Sequence, residues 1–210
     1  RDAEDVCLKL GIPFRTFNFE KEYRAKVVDY FFSEYKAGRT PNPDILCNRE
    51  IKFGIFLERA LKEGADLIAT GHYARVRYND QSKEFELLRG LDPNKDQSYF
   101  LCELDQIQLS KTLFPVGGLL KPEVRALAEK FHLPVAKKPD SQGICFIGDI
   151  NVAQFLRRNI KQQQGDIVDA DSGKVIGRHD GIEFYTIGQR QGLKIGGARK
   201  PYFVSGKDRK

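Results

Sequence analysis

The sequence predicts an α/β fold with a parallel sheet, followed by a small β-rich second domain. Three observations predict it. Helical and strand-like segments alternate through residues 1–71. A strand-like run ends on Gly71, at the carboxyl edge where parallel sheets receive ligands. From Gly165 onward the texture changes to short apolar stretches broken by Asp171, Gly173, Gly177, Gly181 and Gly188.

The first ten residues read as the end of an amphipathic helix, with Ala3, Val6 and Leu10 on one face and Gly11 as its stop. Residues 12–19 read as a strand. Residues 20–37 repeat Tyr23, Val27, Phe31 and Tyr35 at helical spacing and end before Gly38. A Pro-punctuated stretch over 40–48 leads into a helix carrying Ile51, Ile55, Leu57 and Leu61, and residues 66–70 form a short buried strand. Residues 75–89 read as a hairpin turning at 79–82. Helices follow near 105–113 and 121–131, the second with Pro122 in its first turn. A further helix carries Val152, Phe155 and Leu156. The domain boundary is placed near Gly148, giving domains 1–148 and 149–210.

A chain of 210 residues suits one full domain plus part of a second. With 40% hydrophobic and 30% charged residues it is neither a disordered tail, a collagen-like fibre nor a disulfide scaffold. No apolar run exceeds four residues, so no membrane-spanning helix is expected. The chain begins at Arg1, contains no Met and shows no basic-then-apolar leader, so the reading favours an interior fragment of a cytoplasmic protein. The net charge of +6 is concentrated at one end: residues 189–210 hold Arg190, Lys194, Arg199, Lys200, Lys207, Arg209 and Lys210 against Asp208 alone. Such a stretch either binds a polyanion such as RNA or is a solvated basic end.

Cys7, Cys47, Cys102 and Cys145 show no zinc-like spacing, and three histidines add little, so no metal site is expected. Cys47 falls where a helix should begin, and the backbone N–H groups and positive dipole of a helix start stabilise a thiolate. Asp44, three residues earlier, is placed either to move a proton or to cap that helix. Cys145 lies between Gly143 and Gly148, with Lys137 and Lys138 nearby in sequence. It reads either as a reactive thiolate or as a small buried hydrophobe. Cys7 and Cys102 read as apolar-face residues. On residues alone the chain is a thiol enzyme or an RNA-binding module.

Five strings carry a resemblance: GRTPNPDILCNREIKF (38–53), ATGHYAR (69–75), KDQSYFL (95–101), KKPDSQGICFIG (137–148) and YTIGQRQGL (185–193). Together, in this order, they resemble the bacterial-type tRNA-specific 2-thiouridylase family of the PP-loop ATP-pyrophosphatase superfamily. The resemblance implies a Rossmann-like domain of the adenine nucleotide alpha-hydrolase kind and ATP-dependent 2-thiolation of the tRNA wobble uridine. ATP, with Mg, adenylates the C2 oxygen. Cys145 carries a persulfide, and Cys47 is the partner nucleophile that releases the sulfur by forming a disulfide with it. The resemblance also implies Asp44 as acid/base residue, Asn42, Pro43 and Asp44 as contacts to the target base, Gly71 as an ATP contact, and His72, Lys95, Asp96 and Gln97 as tRNA contacts. His72 reads alternatively as a satisfied loop residue, and Asp96 as a cap for the helix that follows it. His132 and His179 match nothing and read as surface residues. The implied partners are tRNAs with Lys, Glu and Gln type anticodons and a sulfur-relay protein or cysteine desulfurase.

The family's Gly-rich phosphate loop, whose backbone N–H groups cradle ATP phosphates, is missing from the string of 210 residues, as is a closing β-barrel. The expectation is a domain lacking its first strand and phosphate loop, followed by a partly truncated β-rich domain, the fragment alone being inactive. The alternatives are a 4-thiouridine or 2-thiocytidine type thiolase, which wide cysteine spacing disfavours where a cluster is needed, and a non-catalytic RNA-binding fragment.

Overall fold

The computed structural model describes residues 2–139, 152–196 and 201–208. Helix α1 (Asp2–Leu10) carries Asp2, Glu4 and Asp5 in its first turn and stops at Gly11, whose φ of 66° suits a residue without Cβ. None of its residues is buried, and Leu8 is 83% exposed.

Residues 12–19 depart from expectation and form no strand. A strand exists only where a neighbour takes up its ladder hydrogen bonds, and the described strands all pair elsewhere. The segment is held by aromatic packing instead. Phe17 stacks on Phe19 and meets Phe56 edge-on, with Arg59 over its ring.

Helix α2 runs continuously over 20–36, as Glu20–Tyr23, a π-helical stretch Arg24–Val28, and Asp29–Lys36. It buries the predicted row of Tyr23, Val27, Phe31 and Tyr35. Helix α3 runs over 43–62, as Pro43–Cys47, a π-helical stretch Asn48–Ile55, and Phe56–Lys62. Its first half packs Leu46, Cys47 and Ile51 on Tyr23 and Val27. Its second half joins Phe53, Leu57 and Ala60 to Ile68, Ala74, Leu101 and Phe114.

Strand β1 (Ile68–Ala69) is followed by an antiparallel hairpin, β2 (Ala74–Asn79) and β3 (Glu84–Arg89), then a 3₁₀ turn Ser98–Leu101. The hairpin turns where expected, Asn79 Oδ1 accepting from Gln81 N at 2.9 Å. Helix α4 (Gln106–Ser110) begins with a capping box between Asp105 and Gln108. It stops short of the predicted 113, because Thr112–Leu113 is β4, paired in parallel with β1 through Ile68↔Thr112 and Ala69↔Leu113. Thr112 is buried, and its Oγ1 donates back to Gln108 O at 2.8 Å. The expected mixed α/β fold with a parallel pair is present.

Helix α5 (Lys121–Lys130) starts as predicted with Pro122 in its first turn, Glu123 reaching back to accept from Leu120 N at 2.7 Å. Before it, Gly117 lies so close to β2 that a Cβ would stand 1.5 Å from the Ala74 carbonyl oxygen.

The second unit comprises α6 (Val152–Asn159), the antiparallel pair β5 (Gly165–Val168) and β6 (Val175–His179), and a 3₁₀ turn Ile182–Phe184. No closed barrel forms among the described residues. Leu156 and Ile160 pack on Phe31 and Tyr35, and the Phe155 ring lies 5.2 Å from that of Phe32, so α2 is the wall the two units share. No helix among the described residues is long and apolar enough to cross a membrane.

Candidate functional site

Three segments named by the sequence are linked to one another around α3. The first is 38–48. Gly38, at a φ of 77°, ends α2, with Gly38 N donating to Tyr35 O and Arg39 N to Glu34 O. Asn42 then caps α3, its Oδ1 accepting from Asp44 N at 3.1 Å and Ile45 N at 3.4 Å. The cap reading of Asp44 is therefore corrected: Asn42 holds that post and Asp44 lies within the first turn. The residue before a proline is driven to extended backbone, which is the N-cap conformation, and Asn42 sits at φ −104°, ψ 98° before Pro43.

This shift also corrects the placement of Cys47. It lies one turn inside α3, is 0% exposed, and packs among Tyr23, Val27, Leu46 and Ile51. Asp44 and Cys47, three positions apart, share one helix face, with the carboxylate half-buried and the thiol buried. Next to them Asn48 is buried and donates to Phe100 O at 2.8 Å, while its Oδ1 has no partner among the described residues.

The second segment is 69–73, at the carboxyl end of β1. Gly71 is exposed, and a Cβ there would meet nothing within 4 Å, so this backbone faces open space. His72 is buried. Thr70 Oγ1 lies 2.8 Å from its Nδ1, and the ring packs 5.8 Å from Phe53 and 6.2 Å from Phe114. Burial, and secondarily the positive charge of Lys52, pushes the imidazole down to about 4. The ring is neutral at pH 7, in keeping with the satisfied loop residue.

The third segment is 95–101. Gln97 Oε1 accepts from Tyr73 N at 3.0 Å, and Gln97 N donates to Tyr73 O at 2.9 Å, clipping this loop to the second segment. Asp96 accepts from Gly90 N, Ser98 N and Ser98 Oγ, and pairs with Arg89 at 3.1 Å. Burial raises its pKa, but these donors outweigh it and hold the carboxyl below its ordinary value. Asp96 thus ties the first residue of the turn that follows it to the end of β3, while the N-cap position of that turn is Gln97, which corrects the cap reading of Asp96. Lys95 is half-buried on the same loop, its N–H donating to Asp92 O at 3.1 Å.

Gln97 joins the 95–101 segment to 69–73 through Tyr73, and Asn48 joins it to α3 through Phe100. Cys145 and the 140–148 part of its string lie outside the described residues. Cys102 is exposed in the turn after Leu101, which corrects the apolar-face reading, and Cys7 is half-buried. His132 is exposed, but His179 is half-buried against Gly165 and Tyr185, so the surface reading fails for it.

Sequence reasoning missed Asn48 and Asp92. Asp92 is buried and accepts from Asn94 N and Lys121 N, both at 2.9 Å. A DPN turn was the available signal for Asp92. Thr186 lies in the 185–193 string and Lys207 in the basic stretch, but neither feature pointed to the 38–48 segment, because the contacts span 146 and 169 positions.

A family model described as the tRNA methyl transferase HUP domain matches residues 1–149, and one described as the tRNA methyl transferase PRC-barrel domain matches 153–210. The chain is 56% identical over 207 residues to a tRNA-specific 2-thiouridylase of Geobacillus kaustophilus, covering 99% of this chain and 55% of that one. It is 58% identical over 211 residues to that of Pseudomonas aeruginosa and 59% identical over 211 residues to that of Stutzerimonas stutzeri, in both cases covering 99% of this chain and 56% of the relative. The chain spans about half the length of the curated relatives it matches.

Proposed function

The chain belongs to the tRNA methyl transferase HUP-domain family, with a Rossmann-like domain and a small PRC-barrel-like one, and from that premise we propose that the protein it comes from is a tRNA-uridine 2-sulfurtransferase. The observation that carries the reading is identity of 56–59% across 99% of the chain to proteins named for tRNA-specific 2-thiolation. The division into 1–148 and 149–210 forms part of the same reading.

The reaction exchanges the C2 oxygen of a wobble uridine for sulfur. ATP, with Mg, supplies the leaving group by adenylating that oxygen. What this chain contributes is position and thiol chemistry. The open backbone at Gly71 leaves room for a nucleotide at the carboxyl end of β1. Asn42 sets the first turn of α3, so Asp44 stands one turn before Cys47 to move a proton. Cys145 carries the sulfur as a persulfide, whose terminal sulfur attacks C2 while AMP leaves with the former C2 oxygen. Cys47, as thiolate, attacks the Cys145 sulfur; the bond between Cys145 and the transferred sulfur breaks, the electron pair leaves with that sulfur on C2, and a Cys47–Cys145 disulfide remains for an external thiol to reduce. Lys95 and the basic 189–210 stretch supply cations for tRNA phosphates. The tRNAs are of the Lys, Glu and Gln type, and a sulfur-relay protein or cysteine desulfurase loads Cys145. A cytoplasmic setting, with reduced thiols, fits this chemistry.

The test incubates the full-length protein with tRNA, ATP and a cysteine desulfurase system, then digests the tRNA for nucleoside mass spectrometry. The expected product is 2-thiouridine, lost on Cys145→Ser with tRNA binding retained. Methylated uridine in its place, or thiolation undiminished in Cys145→Ser, overturns the reading.

A further inference from the structure

The 38–44 loop, which leads into the helix carrying Asp44 and Cys47, is pinned from outside its own domain. Lys207 Nζ donates to the Gly38 carbonyl oxygen at 2.7 Å, in a half-buried setting. Thr186 Oγ1 lies 3.1 Å from Thr40 Oγ1. These two fingers belong to one laced piece. Thr186 N donates to Gln189 Oε1 at 2.9 Å, Gly188 N to Val204 O at 2.7 Å, and Val204 N to Gln189 O at 3.0 Å, so the 186–189 turn and the segment leading to Lys207 hold each other. The same second unit leans on α2 through Leu156 and Ile160, just before the helix end that Gly38 forms.

Local contacts hold the loop as well. Arg39 forks onto Glu34 at 2.5 and 2.6 Å, and Asn42 caps its own helix. A charged donor to a backbone carbonyl is the stronger of the two outside contacts, and the exposed threonine pair competes with water. The loop is four residues long between Gly38 and Pro43, so a shift at Gly38 reaches the Asn42 cap with little slack.

Resting on the thiolation reading, we propose that Lys207, assisted by Thr186, is a positioning residue for the 38–44 loop: the second unit sets the start of α3, and thereby the geometry of Asp44 and the cover over Cys47. Any movement of the second unit on engaging tRNA is passed to the site through these two contacts. One cation of the basic 189–210 stretch is thus assigned to a backbone carbonyl of the catalytic domain.

The experiment compares full-length wild type, Lys207→Met, Lys207→Arg and Thr186→Val by two readouts. The first is the rate of iodoacetamide alkylation at Cys47, followed by peptide mass spectrometry without substrates, which does not depend on the reaction being thiolation. Lys207→Met is expected to raise it at least tenfold, Thr186→Val about threefold, and Lys207→Arg to leave it within twofold of wild type. The second is single-turnover 2-thiolation, expected to fall about tenfold in Lys207→Met with tRNA affinity within threefold, and to be restored by Lys207→Arg. Unchanged Cys47 alkylation in Lys207→Met overturns the proposal, as does an Arg variant as impaired as the Met variant. Wild type that never thiolates tRNA, while the alkylation pattern holds, overturns the enzymatic reading and leaves the clamp standing.

Discussion

Acidification should destabilise this protein through His72, and the size of the effect follows from its surroundings. The ring is 9% exposed, accepts or donates a single hydrogen bond with Thr70, and sits against Phe53 and Phe114 with Lys52 nearby. Its folded value of about 4 lies below the ordinary 6.5, so the folded state binds fewer protons than the unfolded one. The stability contributed by the neutral ring is fully present above pH 6.5 and lost as pH falls through the window from 6.5 to about 4. At roughly 1.4 kcal/mol per unit, the loss across that window is about 3 kcal/mol. Carboxylates held below their ordinary values, such as Asp96 and Glu50, also lose stabilisation in acid, so the quantity to read is a difference. Urea unfolding of wild type and His72→Gln from pH 7.5 to 4 should show wild type losing about 3 kcal/mol more than the variant, whatever the variant's stability at neutral pH. Parallel curves, or an NMR titration of the folded His72 ring near 6.5, would refute the reasoning.

Other outcomes follow from contacts in the same region. Gly117→Ala would drive a Cβ into the Ala74 carbonyl and should cost about 3 kcal/mol or more, whereas Gly118→Ala, with nothing within 4 Å, should stay within about 1 kcal/mol of wild type by thermal unfolding. Asp92→Ala removes a buried acceptor from Asn94 N and Lys121 N and should cost about 1 to 3 kcal/mol in chemical denaturation, with proteolysis first opening the 92–121 region. In native protein, iodoacetamide should label exposed Cys102 about a hundredfold faster than Cys47, the factor imposed by a local opening of about 3 kcal/mol, and the gap should vanish in urea. Comparable native rates would contradict the burial of Cys47.

What the sequence made legible was periodicity, and what it hid was partnership. The four-residue spacing from Tyr23 to Tyr35 announced a buried helical face, and that face is the wall both units share. The Asn79 turn announced its hairpin for an equally local reason. Residues 12–19 look as strand-like as 68–69, yet only the latter has a parallel partner, and that partner, Thr112–Leu113, carries a helical pattern. Strand identity is a property of pairs, which a single stretch cannot display. The site shows the same division. The Asn-Pro-Asp order contains the correct cap, since proline forces its predecessor into the capping conformation, and taking Asp44 for the cap in place of Asn42 sets the helix start two positions too close to Cys47. Nothing local could have joined Lys207 to Gly38, because a lysine in a basic stretch looks the same whether it meets solvent, phosphate or a carbonyl.

The burial of Cys47 constrains any mechanism that uses it. A thiol with no exposed surface exchanges only with a sulfur packed against it or after its cover opens, because exchange requires contact between the two sulfurs. Among the described residues its cover is made by Tyr23, Val27, Leu46 and Ile51. Its neighbours differ in how firmly they are fixed. Asn48 anchors the following turn to Phe100, so the carboxyl side of Cys47 is tied to the 98–101 turn. The amino side hangs from the Asn42 cap and the short loop that the second unit pins. Uncovering the thiol is thus easiest by lifting the first turn of α3, and that motion carries Asp44 with it. On the proposed thiolation reading, a single local opening would then deliver Asp44 and Cys47 together, under the control of the contacts made by Lys207 and Thr186.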